Sequence, residues 1–156
     1  MKITYITHSF RPYIGGVEYV VENVAKEMAK RGHEVKVITL VPPFSSLQHF
    51  ERLNGYTIER FTGLSPSDAY YIPTLSFIKA IAKLHTDIAH VHVVHSLVPL
   101  TVYMTKRILR PRWKRLIITP HFHDRGFSWH TNIAWNFYRP ILKKVLEKAD
   151  IVHSIS

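Results

Sequence analysis

The sequence predicts an α/β domain, a doubly wound Rossmann-like parallel sheet with helices on both faces. Short β-branched runs alternate with helical patterns along the chain, and the first run leads through a glycine loop into an amphipathic helix. A later run, residues 87–94, is mostly apolar, which is typical of a buried parallel strand. The 156 residues suffice for one hydrophobic core. We therefore expect one domain over residues 1–156.

The first elements form a complete β-loop-α-β unit. Residues 3–7 are a short apolar run that predicts a strand, and Gly15 and Gly16 permit the turn that follows. Apolar residues then recur at helical spacing over residues 17–30, and Gly32 ends that pattern. A second strand is predicted over residues 34–40.

Strands and helices continue to alternate in the rest of the chain. Strands are predicted at residues 56–61, 87–94, 116–119 and 151–156, and helices at residues 78–84, 97–109 and 133–149. Sheets of this type place ligands outside the carboxyl ends of their strands. The expected functional rim consists of the loops that begin at His8, Val41, Val94, Pro120 and Ser154.

Composition excludes several classes of site. The chain has no cysteine, which rules out disulfides, thiolate metal ligands and cysteine nucleophiles. No basic and apolar leader precedes the first strand, so we expect a cytoplasmic protein. The longest uncharged stretch, residues 88–105, contains histidines and a proline and is interpreted as a strand followed by a helix.

The net charge of +10 favours contact with anionic partners. The densest basic run spans residues 106–115, and three interpretations stay open: a solvated helix end, an anionic membrane surface, or nucleic acid. The candidate membrane-contact residues are Lys106, Arg107, Arg110, Arg112, Trp113, Lys114 and Arg115. A peripheral position on the inner face of the membrane would follow from the second interpretation.

The glycine loop before the first helix could bind phosphate. Backbone N–H groups and the positive end of the helix dipole attract anions, although two glycines at this place also suit a simple turn. The spacing is not GxGxxG, and no acidic residue ends the second strand. Both departures argue against a dinucleotide-dependent dehydrogenase.

Five motifs occur in order along almost the whole chain: YIGGVE at 13–18, MAKRGHEVKV at 28–37, DIAHVH at 87–92, ITPH at 118–121 and ADIVHSIS at 149–156. Together they closely resemble the N-terminal domain of family 4 glycosyltransferases, retaining enzymes of the GT-B fold. The resemblance implies that Gly15 and Gly16 contact the donor diphosphate through backbone N–H groups. It also implies that His121 faces the sugar in the cleft, as the catalytic candidate. Glu18 matches the family's acid after the glycines, although an acid there also complements the helix dipole.

Further polar residues near the rim are candidates for an acceptor cleft: Glu18, His92, His95, His123, Asp124 and Trp129. His90 and His92 share one face of a strand, so a metal site with His95 and His123 or Asp124 is one interpretation. The spacing is not diagnostic of a structural metal site, and strand histidines that bond the backbone or line the cleft are the preferred interpretation. No cofactor and no metal is expected, since the nucleotide-sugar is a substrate.

The resemblance implies that the full enzyme transfers a sugar from a nucleotide-sugar donor to a sugar or lipid-linked acceptor with retention of configuration. The C-terminal donor-binding domain is absent from this chain, so we expect residues 1–156 alone to be inactive. Nucleic acid is not expected as a partner of such an enzyme. The alternative is a stand-alone module that binds a phosphorylated ligand or nucleic acid without catalysis.

Overall fold

The structure is a computed structural model that describes residues 1–64, 72–93, 95–121 and 129–154. Its strands are β1 (Lys2–Thr7), β2 (Glu34–Val41), β3 (Phe50–Leu53), β4 (Tyr56–Leu64), β5 (Ile72–Pro73), β6 (Thr86–His92), β7 (Trp113–Thr119) and β8 (Ile151–Val152). Its helices are α1 (Gly16–Lys30), α2 (Leu75–Ala82), α3 (Val98–Leu109) and α4 (Trp129–Glu147).

The predicted parallel sheet is confirmed. The strand order is β3-β4-β2-β1-β6-β7-β8, with β5 paired to β4. The six parallel strands from β4 to β8 follow the 3-2-1-4-5-6 order of the Rossmann fold. In such an order the connections reverse direction between β1 and β6, which makes a crevice there at the carboxyl ends of the strands.

Two antiparallel strands were not predicted. β3 forms a hairpin with β4 and lies at the edge of the sheet, and β5 pairs antiparallel with the end of β4. Asn54 and Gly55 form the hairpin turn with φ values of 50° and 86°. Asn-Gly between two β-rich runs is a strong hairpin signal, because both residues tolerate positive φ. This signal was available in the sequence.

Helices cover both faces of the sheet, as expected. The apolar stripe of α1, with Val21 and Ala25 fully buried, packs on Tyr5 and Val37. Side chains of α2, α3 and α4 pack on the opposite face, around Leu116 and neighbouring strand residues. The helix after β1 therefore covers one face of the sheet, and the helix after β6 covers the opposite face. The crevice lies between these two strands.

The strand β7 begins three residues earlier than predicted and includes the end of the basic run. Trp113 is its first residue, is only 8% exposed and packs in the core. The prediction that Trp113 contacts a membrane is therefore wrong, because its indole is already buried. The start of β7 looked like a loop in the sequence because two exposed charged residues, Lys114 and Arg115, separate the buried Trp113 from the buried Leu116.

None of the helices in the described ranges is both long and apolar enough to cross a bilayer.

Candidate active site at the carboxyl edge of the sheet

A row of polar side chains crosses the sheet where its central strands end. Thr7, Thr39, His92 and Thr119 are all at most 2% exposed. Thr7 pairs with Thr39, and His92 pairs with Thr119. Thr7 and His92 are also level with each other, because the residues before them, Ile6 and Val91, are paired. Four neighbouring strands thus present polar atoms on one face, at the edge where α/β sheets bind ligands.

Two atoms of this row have unmet hydrogen-bonding capacity. Within the described part of the chain, nothing hydrogen-bonds to Thr7 Oγ1 or to His92 Nε2. Most buried polar atoms in proteins have a partner, so each exception calls for a cause. These two lie on β1 and β6, the strands on the two sides of the crevice. The crevice is therefore the part of the sheet best suited to a polar ligand.

His121 stands directly above this row. Its Nε2 lies 3.0 Å from His92 Nδ1, which is hydrogen-bonding distance. His121 has a φ of 38°, and Val93, which follows His92, has a φ of 78°. Positive φ is uncommon outside glycine and strained for a β-branched residue. Such strain tends to gather at functional sites, where surrounding contacts hold it in place.

A second hydrogen-bonded group lies beside this pair on the same face. Thr119 Oγ1 is 2.8 Å from His90 Nε2 and 3.2 Å from His153 Nδ1. The ring of Tyr5 lies 5.5 Å from that of His90 and 5.8 Å from that of His92, centroid to centroid. The tertiary structure therefore gathers imidazoles from three segments of the chain beneath the rim.

Burial keeps the strand histidines neutral. Desolvation lowers the pKa of His90 to about 4 and that of His92 to about 2, and the neighbouring imidazoles add to both effects. A charged ring in this layer would lose its hydration, and the neighbouring imidazoles offer no negative charge in return. At neutral pH, each of these rings therefore carries one proton, on one of its two nitrogens.

The glycine loop lies at the other side of the crevice. Gly15 is the N-cap of α1 and forms no side-chain cap, and Glu18 lies in the first helical turn. A β-carbon on Gly15 would collide with the Glu18 carboxylate, whereas one on Gly16 would meet no atom within 4 Å. Gly16 therefore offers an open approach to the helix end, and Glu18 folds back over Gly15.

Arg60 anchors the glycine loop and was not found by sequence analysis. This side chain of β4 is 4% exposed. Its Nη2 donates to the backbone oxygen of Arg11 at 3.1 Å and to Glu51 Oε2 at 2.6 Å, and Nη1 donates to the backbone oxygen of Gln48 at 3.1 Å. The guanidinium thus ties the loop after β1 to the β3–β4 hairpin. The available signal was a charge at an inward position, two residues after the buried Ile58.

The other predicted cleft residues do not all gather at this site. His95 stacks on Trp135 of α4, with ring centroids 4.6 Å apart, so it packs against the helix layer. His123 and Asp124 lie outside the described residues. Trp129 begins α4, and its side chain is likewise outside them. Within the described ranges, no three histidine, aspartate or glutamate side chains are arranged so that they could hold a metal ion.

The basic run lies at the amino ends of the strands, opposite the candidate site, between the end of α3 and the start of β7. Lys106 pairs with Asp150 at 2.7 Å and Lys114 with Asp87 at 2.7 Å, while Arg115 approaches Asp150 at 3.7 Å. Three of the residues that were predicted to contact a membrane therefore form ion pairs within the chain. The remaining members of the run, Arg107, Arg110 and Arg112, are exposed, and so are Ile108 at 64% and Leu109 at 54%.

Comparison with known proteins gives a consistent result. A family model described as Glycosyltransferase Family 4 matches residues 14–156. A GDP-mannose:cellobiosyl-diphosphopolyprenol alpha-mannosyltransferase of Xanthomonas campestris is 34% identical over 97 residues, which cover 59% of this chain and 24% of that protein. The chain thus spans about a quarter of the curated relative that it matches.

Among solved structures, sucrose-phosphate synthase from Thermosynechococcus elongatus has a similar fold, with a TM-score of 0.58 and 16% sequence identity. The similarity covers 97% of this chain and 41% of that one. At this identity the likeness concerns the fold alone.

Proposed function

Because the chain belongs to glycosyltransferase family 4, we propose that it forms the acceptor-side half of an enzyme that transfers a sugar from a nucleotide-sugar donor with retention of configuration. One observation carries the proposal: the crevice between β1 and β6 has the glycine loop on one side and the His92–His121 pair on the other. The family match argues against the alternative of a binding module without catalysis.

The donor diphosphate binds at the N-terminus of α1 in this proposal. The first N–H groups of a helix and its positive dipole end attract anions, and Gly16 leaves room for a phosphate to approach the backbone. The Glu18 carboxylate must turn away from Gly15 when the donor enters, since two negative groups would otherwise share the helix end. No metal and no cofactor takes part in this scheme.

His121 contacts the reacting sugar. In its neutral form the imidazole can donate a hydrogen bond to a hydroxyl or to a leaving-group oxygen. A second domain supplies the remaining charge around the diphosphate, and its closure over the crevice excludes water.

The test uses the full-length protein that contains this domain. His121→Gln should lower kcat/KM for sugar transfer about tenfold or more, because a hydrogen bond that forms in the transition state contributes roughly 1.4 kcal/mol. His85→Gln serves as the matched control, since His85 is exposed and precedes β6 at the far edge of the sheet. Equal kcat/KM values for the two variants would remove His121 from the site.

A lipid-linked acceptor is the second part of the proposal. The mannosyltransferase from Xanthomonas is named for a diphosphopolyprenol acceptor. In this chain, Ile108 and Leu109 are exposed beside Arg107, Arg110 and Arg112, a combination that suits the surface of an anionic bilayer. The seven residues of β7 separate this patch from His121 by about 20 Å, so it would tether the protein without forming the cleft.

Vesicles with and without anionic phospholipid test the tether. The double variant Ile108→Ser with Arg110→Glu should sediment less with anionic vesicles than the unchanged protein, because it loses apolar area and reverses one charge. Arg52→Glu, an equal charge change on the edge strand β3, should sediment normally. Equal loss in both variants would indicate a general charge effect and contradict a specific patch.

A further inference from the structure

The pairing of His92 with His121 has a consequence for the chemistry of His121. His92 is 2% exposed, and its two ring nitrogens differ sharply in their surroundings. Nδ1 lies 3.0 Å from His121 Nε2, whereas Nε2 has no hydrogen-bond partner among the described residues. A neutral imidazole has one N–H donor and one acceptor nitrogen, so these two contacts restrict where its proton lies.

Two arrangements satisfy the 3.0 Å contact. In the first, His92 donates from Nδ1–H to His121 Nε2, and the His92 Nε2 that faces no partner is a bare acceptor. In the second, His121 donates from Nε2–H, and His92 must carry its own proton on the unpartnered Nε2. Orphaned N–H donors are rarer in protein interiors than under-used acceptors, which favours the first arrangement.

We infer that His92 is a positioning residue that fixes the proton of His121 on Nδ1, so that His121 meets its ligand as a hydrogen-bond donor. The proton on His92 Nδ1 occupies the lone pair of His121 Nε2. A neutral His121 then keeps its only proton on Nδ1, the nitrogen that does not face His92. The inference rests on the proposed function for its effect on sugar transfer, but the tautomer itself does not depend on that function.

Three features support a fixed orientation. Both partners are held by the backbone, because Val93 and His121 adopt positive φ values of 78° and 38° while the Val93 N–H donates to the Thr119 carbonyl oxygen at 3.0 Å. The His92 ring is also packed between other rings, 4.3 Å from His90 and 5.8 Å from Tyr5 between centroids. Burial lowers the pKa of His92 to about 2, which keeps it neutral. The ring therefore neither turns freely nor gains a second proton.

The direct test is histidine-selective ¹⁵N NMR on the full-length protein, with long-range ¹H–¹⁵N correlations that distinguish the tautomers. The His121 signals are identified by their loss in His121→Gln. In the unchanged protein we expect Nδ1 of His121 to be protonated and Nε2 to be bare. In His92→Phe the ring remains but the donor is gone, so His121 should move towards the Nε2–H form that isolated imidazoles prefer.

Two variants control for side effects. His92→Asn places an amide N–H near the former Nδ1 and should keep His121 in the Nδ1–H form. His90→Gln changes a second, half-buried histidine on the same face, whose hydrogen bond goes to Thr119, and should leave the His121 signals in place. If thermal unfolding shows that His92→Phe disturbs the fold, His92→Leu repeats the measurement with a smaller side chain.

Sugar transfer gives an independent measurement. His92→Phe should lower kcat about tenfold, because a misoriented or wrongly protonated group fails in the transition state. His92→Asn should recover most of the loss. An Nε2–H tautomer in the unchanged protein, or an Nδ1–H tautomer that survives in a folded His92→Phe, would overturn the inference. Unchanged transfer in His121→Gln would instead contradict the proposed function, and the tautomer measurement would remain valid.

Discussion

His121 shows how a single residue depends on its neighbours for its chemistry. A lone histidine at the end of a strand is commonly structural, and the sequence alone implicates His121 through a family resemblance. In the structure it sits at φ 38°, at hydrogen-bonding distance from a buried neutral imidazole and beside the crevice of the sheet. Orientation and protonation state are thus properties of the pair His92–His121.

Gly16 permits a test of donor binding that leaves the fold intact. Because no atom lies within 4 Å of a β-carbon built on Gly16, Gly16→Ala should fold normally and change the KM for the donor little. Gly16→Val places more bulk where a phosphate would approach, so the KM for the nucleotide-sugar should rise about tenfold, equivalent to about 1.4 kcal/mol. Steady-state kinetics of the full-length protein measure this. Identical KM values for both variants would place the donor elsewhere.

At the scale of elements, the β3–β4 hairpin supports the site through Arg60. The hairpin lies at the edge of the sheet, two strands from the crevice, yet the Arg60 guanidinium reaches the backbone of the loop that carries Gly15 and Gly16. The antiparallel hairpin thus holds the loop that follows the parallel strand β1. The sequence analysis missed this link because the hairpin was not predicted, although the Asn54-Gly55 turn and the inward charge of Arg60 were signals for it.

Replacing Arg60 should destabilise the fold strongly. Arg60→Met leaves Glu51 and two backbone oxygens without their donor, which should lower the free energy of unfolding by about 3 kcal/mol. Arg52→Met, on the exposed side of β3, should change it by less than about 0.5 kcal/mol. Urea-induced unfolding compares the two, and equal midpoints would show that the buried guanidinium contributes little.

At the scale of the whole molecule, the histidine layer ties stability to pH. His90 and His92 have folded pKa values of about 4 and about 2, below the ordinary value of 6.5, so the unfolded chain binds protons that the folded chain does not. The stability that these two neutral histidines contribute is therefore fully present above pH 6.5 and is lost as the pH falls below that value. The slope reaches about 1.4 kcal/mol per pH unit for each histidine.

The corresponding prediction concerns the melting temperature between pH 7.5 and pH 5. It should fall as the pH is lowered, and His90→Gln should reduce the slope, because glutamine does not titrate and can still hydrogen-bond Thr119. His85→Gln, which removes an exposed histidine, should leave the slope nearly as it was. A pH dependence that His90→Gln does not alter would assign the effect to other groups.

Catalysis is also a property of the whole molecule. Residues 1–156 should transfer no sugar on their own, because in the proposed scheme a second domain supplies the groups that face the leaving diphosphate. The same donor and acceptor incubated with the full-length protein should give product. Turnover by residues 1–156 alone would contradict the two-domain scheme.

The sequence by itself determined the α/β class, the alternation of strands and helices, the glycine loop at the start of α1 and the family. These features are local or nearly so: hydrophobic periods of two and of 3.6 residues, and motifs within short segments. The tertiary structure decided which polar groups meet. In the structure His92 lies at hydrogen-bonding distance from His121, and Arg60 bonds the loop after β1. His95 packs on Trp135, and Trp113 is buried. Sheet order and register bring these residues together, and they depend on pairing between distant segments that no local pattern encodes.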